Sequence, residues 1–232
     1  MEAERRLTSE DGSELKLEQR KTLGTPVMPA NLILRVMYLG LDLIYGFGRS
    51  LPKLKNLEIL ARYPYHAWEL ASYNRLTRRY ARAAPASKAV SDRLVHVVRL
   101  GRRAQDNEQW HLMIIEDLMR QQGLKQGVVK SYLIPRALAV WYRWFARILY
   151  WAYPPWSFAM NARFESHAEH EYMRMVEEHP EWESRPVDTA YFEYYPAQAS
   201  MADLFRRIGL DERSHMEESM AEYKHLTGRD LT

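Results

Sequence analysis

Two short stretches carry the residue types of a metal site. Asn107-Glu108-Gln109-Trp110-His111 and Asp211-Glu212-Arg213-Ser214-His215 each set a Glu three positions before a His. On an α-helix, residues three apart lie one above the other on the same face. Each stretch can therefore aim one carboxylate and one imidazole at a common point. Two such pairs, with one carboxylate from each of two further helices, make the ligand set of a di-iron or di-manganese site in a four-helix bundle. A single Glu-x-x-His says little, because both residues are common on helices; the second copy and the partner carboxylates carry the weight. Carboxylates and imidazoles with open positions suit iron or manganese that must bind oxygen.

The elements that must position these side chains follow from periodicity and punctuation. Pro52 is a good helix start, and Leu57-Glu58-Ile59-Leu60 then sets one carboxylate on an apolar face. Pro64 removes a backbone donor and predicts a kink. Glu69 lies eleven residues, or three turns, beyond Glu58 and shares its face, so it is a rival ligand or an outer group. Pro85 and Ser87 interrupt. Residues 91–123 are helical, with Glu108 and His111 near the middle, and Gly123 and Gly127 end the helix. Residues 156–178 carry Glu165 and Tyr172, which are seven apart and share a face over two turns. His167 points off that face, and His170 reads as solvent-facing. Residues 179–199, with Pro180, Pro186 and Pro196, form a long loop before a last helix over 201–223 that carries Glu212 and His215. No strand pattern and no internal repeat stands out. Metals held this way tie helices distant in sequence, so a metal-stripped protein should be less stable.

Composition narrows the partners. A chain of 232 residues suits one domain with arms and buries a real core. A net charge of +3 gives no bulk electrostatic reason to expect nucleic acid. The absence of Cys excludes disulfides, thiolate ligands and thiol regulation. Residues 1–23 mix acids and bases with few large apolar residues; they lack the apolar core of a signal peptide, and their acids argue against a transit peptide. They read as a solvated arm, or as an arm that clasps a second subunit. The expected organisation is an arm over 1–28, a helical domain over 29–225 and a tail over 226–232.

The distribution of acids says more than the net charge. Between Glu18 and Glu58 the one acid is Asp42, and between Asp117 and Glu165 there is none. Both intervals contain strongly apolar runs, over 31–47 and 132–156. Arg35 and Asp42 break the first as a membrane span, and Arg136, Arg143 and Arg147 break the second. Two amphipathic helices in a membrane interface fit better, with aromatic and aliphatic side chains among acyl chains and basic groups at anionic headgroups. The plainer alternative is a pair of bundle helices whose arginines reach the surface.

Together these residues resemble the alternative oxidases, and more closely the plastid-type quinol oxidases. The resemblance spans about residues 51–223. It rests on Leu57-Glu58 through Ala61-Arg62-Tyr63-Pro64-Tyr65, on Gln105-Asp106-Asn107-Glu108-Gln109-Trp110-His111, on Glu165-Ser166-His167-Ala168 with Tyr172, and on Asp211-Glu212 with His215. It implies an all-α, ferritin-like four-helix bundle with two interfacial helices. It implies two iron ions held by Glu58, Glu108, His111, Glu165, Glu212 and His215, and a redox-active Tyr172. Asn107 and Asp211 match residues behind the ligands, and Lys53, Leu57 and Ala168 match the quinol pocket. The implied enzyme sits on one membrane leaflet of inner, plasma or thylakoid type, oxidises ubiquinol or plastoquinol, reduces O2 to water and pumps no protons. Related enzymes pair through their ligand-bearing helices, so a homodimer is expected. Three departures stand out. The segment between the first two ligand helices is longer than in mitochondrial members, which keeps Glu69 in play. Gly209 stands where many members have Arg, and the regulatory Cys of plant mitochondrial forms is missing. Two other functions remain open on sequence grounds: another di-iron activity, such as a lipid or quinone hydroxylase or a ferroxidase, and a non-enzymatic metal-holding membrane-surface protein.

Overall fold

The computed structural model describes residues 12–81 and 86–231. Part of the expected arm, residues 1–11, and the expected break at Pro85 lie outside them. Among the described residues there are seven α-helices and no strand: α1 Gly12–Leu23, α2 Leu32–Tyr45, α3 Leu51–Ala81, α4 Lys88–Gln121, α5 Ile134–Ala152, α6 Pro154–Glu178 and α7 Met201–Thr227. α3 runs continuously through Pro64. The long segment between α6 and α7 holds two single 3-10 turns, Pro180–Glu183 and Ala190–Glu193.

Helix ends follow local chemistry. The Ser87 side chain caps α4 by accepting from the Val90 amide, and Asn31 caps α2 by accepting from the Leu34 amide at 2.9 Å. Ser200 caps α7 at the Asp203 amide, 3.1 Å away. Gly228 closes α7 at φ +70°, a left-handed conformation that glycine adopts without a Cβ penalty.

α3 pairs with α4, α6 pairs with α7, and the two pairs meet across one core, with α5 laid against α3 and α6. This is the expected bundle. α2 and α5 are amphipathic in an unusual sense. α5 buries Tyr142, Ala146 and Tyr150 at helical spacing and exposes Val140, Trp141, Trp144, Ile148 and Trp151. α2 buries Leu34, Met37 and Leu41 and exposes Leu32, Val36, Leu39 and Leu43. Lys130, just before α5, donates to the Ile44 carbonyl at 2.6 Å, and Tyr45 donates back to the Lys130 carbonyl at 2.8 Å. The end of α2 is thus tied to the approach to α5. Exposed apolar area on this scale marks an interaction surface. No described helix is long and apolar enough to cross a membrane.

The arm does not behave as a solvated segment over residues 12–23. α1 docks on α6 and α7 of its own chain, burying Leu15. Gln19 donates to the Met173 carbonyl and accepts from Arg206 Nε, both at 2.8 Å. Thr22 donates to Glu169 at 2.6 Å, and Arg213 bridges Glu18 and Glu169 at 2.5 and 2.8 Å. Arg206 and Glu169 are buried on the bundle and need these partners, because an unpaired buried charge is costly. His170 is likewise buried rather than solvent-facing, with its two ring nitrogens against the carbonyls of Ser166 and Thr25.

Candidate metal centre

Four helices bring six buried side chains to one place. Glu58 comes from α3, Glu108 and His111 from α4, Glu165 from α6, and Glu212 and His215 from α7. Their donor atoms form two overlapping groups. In Glu58, Glu108, His111 and Glu212, and again in Glu108, Glu165, Glu212 and His215, one ligand atom per residue lies within 4.8 Å of every other. Glu108 and Glu212 belong to both groups, as carboxylates that bridge two ions must. His111 Nδ1 lies 3.0 Å from Glu212 Oε1 and 3.3 Å from Glu58 Oε2. His215 Nδ1 lies 2.8 Å from Glu108 Oε1.

The donor set fits a pair of metal ions on a specific observation. Glu58 Oε2, both oxygens of Glu108, His111 Nδ1, Glu165 Oε2, both oxygens of Glu212 and His215 Nδ1 are buried and make no well-directed hydrogen bond; they are turned on one another. So many inward-facing buried polar atoms in one spot are costly in a protein core, and metal ions would satisfy all of them at once. Several ligands also have their other atom held from outside. Glu58 Oε1 accepts from the Tyr172 hydroxyl. Glu165 Oε1 accepts from Tyr65 at 2.7 Å and from Asn161 at 3.0 Å. His111 Nε2 faces Asp211 Oδ2 at 3.3 Å, which leaves Nδ1 as the nitrogen that could coordinate. Asp211 in turn accepts from Tyr195 at 2.5 Å and from Asn107 at 3.4 Å.

The sequence-derived site residues therefore largely converge. Asn107 and Asp211 sit behind His111, and Tyr172 sits behind Glu58. Glu69 does not join them: its carboxylate is held by Arg102 at 2.8 Å and Gln105 at 2.9 Å. Lys53 and Leu57 line a cavity of about 130 Å³ between α2, α3 and α6, together with Tyr38, Asp42, His167 and Glu171. Ala168 is buried next to His167 and does not line it. Lys53 pairs with Asp42 inside this cavity. Gly209 sits in a tight spot: a Cβ there would lie 3.0 Å from the Met173 methyl and 3.3 Å from Tyr172 Cβ, so those neighbours would have to give by a few tenths of an ångström. α6 and α7 close up at that point, directly behind Tyr172.

Sequence reasoning missed four participants. Asn161 and Tyr65 had a readable signal, one helical turn before Glu165 and two turns after Glu58 respectively. His167 was set aside because it points off the metal-ligand face; that same direction turns it into the cavity, where it stacks on Tyr38 with ring centroids 3.9 Å apart. Tyr195 lies in the proline-rich segment, and nothing local marks it.

The electrostatics of the metal-stripped site set a pH test. Burial, then the charges of Glu212 and Glu58, push the Glu108 carboxyl well above the usual 4.5. Burial, then Glu108 and Glu212, do the same to Glu165. Burial alone would depress His111 and His215, but the groups around them, Tyr195, Asp211 and Glu212 for His111 and Glu212 first for His215, outweigh it and raise both above 6.5. Burial of Glu212 is outweighed by the two imidazoles, which hold it at about 2. Above pH 6.5 the folded, metal-free chain thus keeps protons that the unfolded chain releases, whereas below it His167, which burial holds at about 4, works in the opposite direction. The site therefore loses stability as pH rises above 6.5, while Glu212 matters only in acid, where its contribution is lost toward pH of about 2. Thermal melts of chelated protein should show a falling midpoint from neutral to mildly alkaline buffer, and ferrous iron should raise the midpoint and release protons. A metal-free midpoint that climbs with pH over that range would contradict this account.

Residues 93–222, more than half of the chain, match the family model described as alternative oxidase. The matched residues hold five of the six converging side chains; Glu58, on α3, lies outside them and stands on its geometry. No curated protein matches the chain.

Proposed function

This chain belongs to the alternative oxidase family, and on that premise we propose that it oxidises ubiquinol or plastoquinol at one leaflet of a membrane and reduces O2 to water without pumping protons. The family is one of membrane-associated quinol:oxygen oxidoreductases with a di-iron centre. One observation carries the reading for this chain: two buried carboxylate–histidine groups share Glu108 and Glu212, and their inward atoms are turned on one another without a well-directed hydrogen bond. Glu58, Glu108, His111, Glu165, Glu212 and His215 would hold the two ions. When bound, iron supplies the redox chemistry that transfers electrons from quinol to O2. Two quinols supply the four electrons and four protons that one O2 needs.

The remaining work falls to the protein. The cavity beside Leu57 is apolar on one side, with Leu41 and Leu54, and polar on the other, with Lys53, Asp42, His167 and Glu171. Such a lining suits a ring bearing two hydroxyls. Leu57 precedes Glu58 on α3, so a quinol head seated there lies against the helix that carries Glu58. Asp211 fixes the ring of His111, and Tyr65 and Asn161 fix Glu165, so that the ligands need not reorganise around the ions. Tyr172 would lend one of the electrons that O2 takes up while its proton passes to Glu58, and quinol would return both. The exposed apolar sides of α2 and α5 support docking on a membrane surface, from which a diffusing quinol reaches the α2–α3–α6 cavity. Within the family, the long segment between the first two ligand helices favours the plastid type, and a homodimer goes with the reading.

Oxygen consumption by purified, iron-loaded protein tests the proposal, with ubiquinol and plastoquinol analogues compared in the presence of cyanide. Uptake with quinone as the product supports it; a ring-hydroxylated product, or no uptake with either quinol, removes it. A narrower test concerns His167. His167→Phe keeps the stack on Tyr38 and deletes both ring nitrogens. We expect KM for quinol to rise about tenfold, the worth of one hydrogen bond to the substrate, with iron content unchanged. An unaltered KM would detach this cavity from the substrate.

A further inference from the structure

A second groove lies on the same side of the molecule as the exposed aromatic face of α5. Arg75 and Arg78, one turn apart on α3, share it with Arg147 of α5, and its volume is about 270 Å³. No acidic side chain lines it. Arg75 and Arg78 take no ion pair or side-chain hydrogen bond within the described residues, and Arg147 lies over the Trp144 ring, 4.9 Å from its centroid. Three guanidinium groups lining one groove with no acid give it a positive potential that an anion would relieve. Their planar forks match the oxygens of a phosphate.

The rim of the groove decides which phosphate. Trp144, Ile148 and Trp151 fall on one stripe of α5 and stand out to solvent, Trp151 at 83 % exposure. Interfacial tryptophans settle at headgroup depth, with the ring body toward the acyl chains. They would hold the mouth of the groove at the level of lipid phosphates. We propose that the Arg75–Arg78–Arg147 groove binds the phosphodiester headgroup of an anionic phospholipid, and so sets how α5, and with it the bundle, lies on the membrane. The proposal rests on the membrane-surface reading above and adds a lipid preference that this reading does not require.

Iron-loaded full-length protein is mixed with phosphatidylcholine vesicles, with and without phosphatidylglycerol, and partitioning is measured by sedimentation. The wild type should prefer the anionic vesicles. R75Q/R78Q changes two exposed residues, and its helicity by circular dichroism checks its fold. It should lose the preference roughly thirtyfold, at about fivefold per basic side chain at the surface, while its binding to neutral vesicles stays as it was. R185Q/R229Q removes the same charge at exposed sites outside the groove and should keep the preference. Retention of the preference in R75Q/R78Q, or an equal loss in R185Q/R229Q, overturns the groove as the site. Equal binding of wild type to both vesicles overturns the lipid preference and leaves the membrane reading intact. No binding to either overturns both.

Discussion

Glu108→Ala should abolish quinol-dependent oxygen uptake and strip the protein of iron. Glu108 has both carboxylate oxygens buried without a hydrogen-bond partner, and it belongs to both ligand groups. Removing it takes a donor from each ion at once. Loss of a group behind a ligand costs 10–100-fold in affinity or activity, so loss of a shared ligand should exceed roughly 10³-fold. Glu108→Gln, nearly the same shape, should fail as badly, which separates lost coordination from lost packing. The one-sided ligands give an internal comparison. Glu58→Ala and Glu165→Ala each disturb one group, so iron per chain should fall toward one rather than none. Stability should move the other way: chelated Glu108→Gln should melt above chelated wild type at neutral pH, because the cost of holding a buried carboxyl protonated is gone. Wild-type oxygen uptake in Glu108→Ala would end the assignment of this cluster as the reaction centre.

Tyr172→Phe should retain iron and lose turnover. The ring is fully buried, packs against Phe205 with centroids 5.7 Å apart, and keeps that contact as Phe. What disappears is the hydroxyl that donates to Glu58. Burial, then the negative charges of Glu58 and Glu212, push the phenol well above its ordinary range. It therefore stays protonated, and losing an electron requires losing the proton in the same event. Glu58 Oε1 is already in place to take it. If the hydroxyl only steadied Glu58, the variant would lose the 10–100-fold typical of such a partner. A redox role predicts a greater loss at unchanged iron content, and a tyrosyl radical that freeze-quench paramagnetic resonance finds in wild type and not in the variant. Wild-type turnover in Tyr172→Phe would return this residue to packing alone.

Much of the centre was legible because helical spacing is a local rule. Glu108 with His111, and Glu212 with His215, announce themselves within one turn, and a glutamate in an apolar run, such as Glu58, is conspicuous on any helix. Glu58 and Glu69 could not be ranked by the same rule, since three whole turns bring both to one side of α3. What separates them is that Arg102 and Gln105 of α4 occupy Glu69 and leave Glu58 to the core. The arm and His170 misled for a related reason. A polar stretch looks solvated until its partners are known, and here Arg206, Arg213 and Glu169 wait on the bundle for Gln19, Glu18 and Thr22.

The sequence by itself determined the kind of protein: an all-helical chain, with carboxylate–imidazole pairs at one-turn spacing and two apolar segments stripped of acids. Tertiary structure alone decided that Glu108 and Glu212 are shared between two groups, that Tyr195 reaches Asp211, and that Arg75, Arg78 and Arg147 stand in one groove. Periodicity acts over a few residues and fixes which side of a helix a group occupies. Which groups then meet depends on how helices far apart in the chain are packed, and that is settled by burial of the whole core.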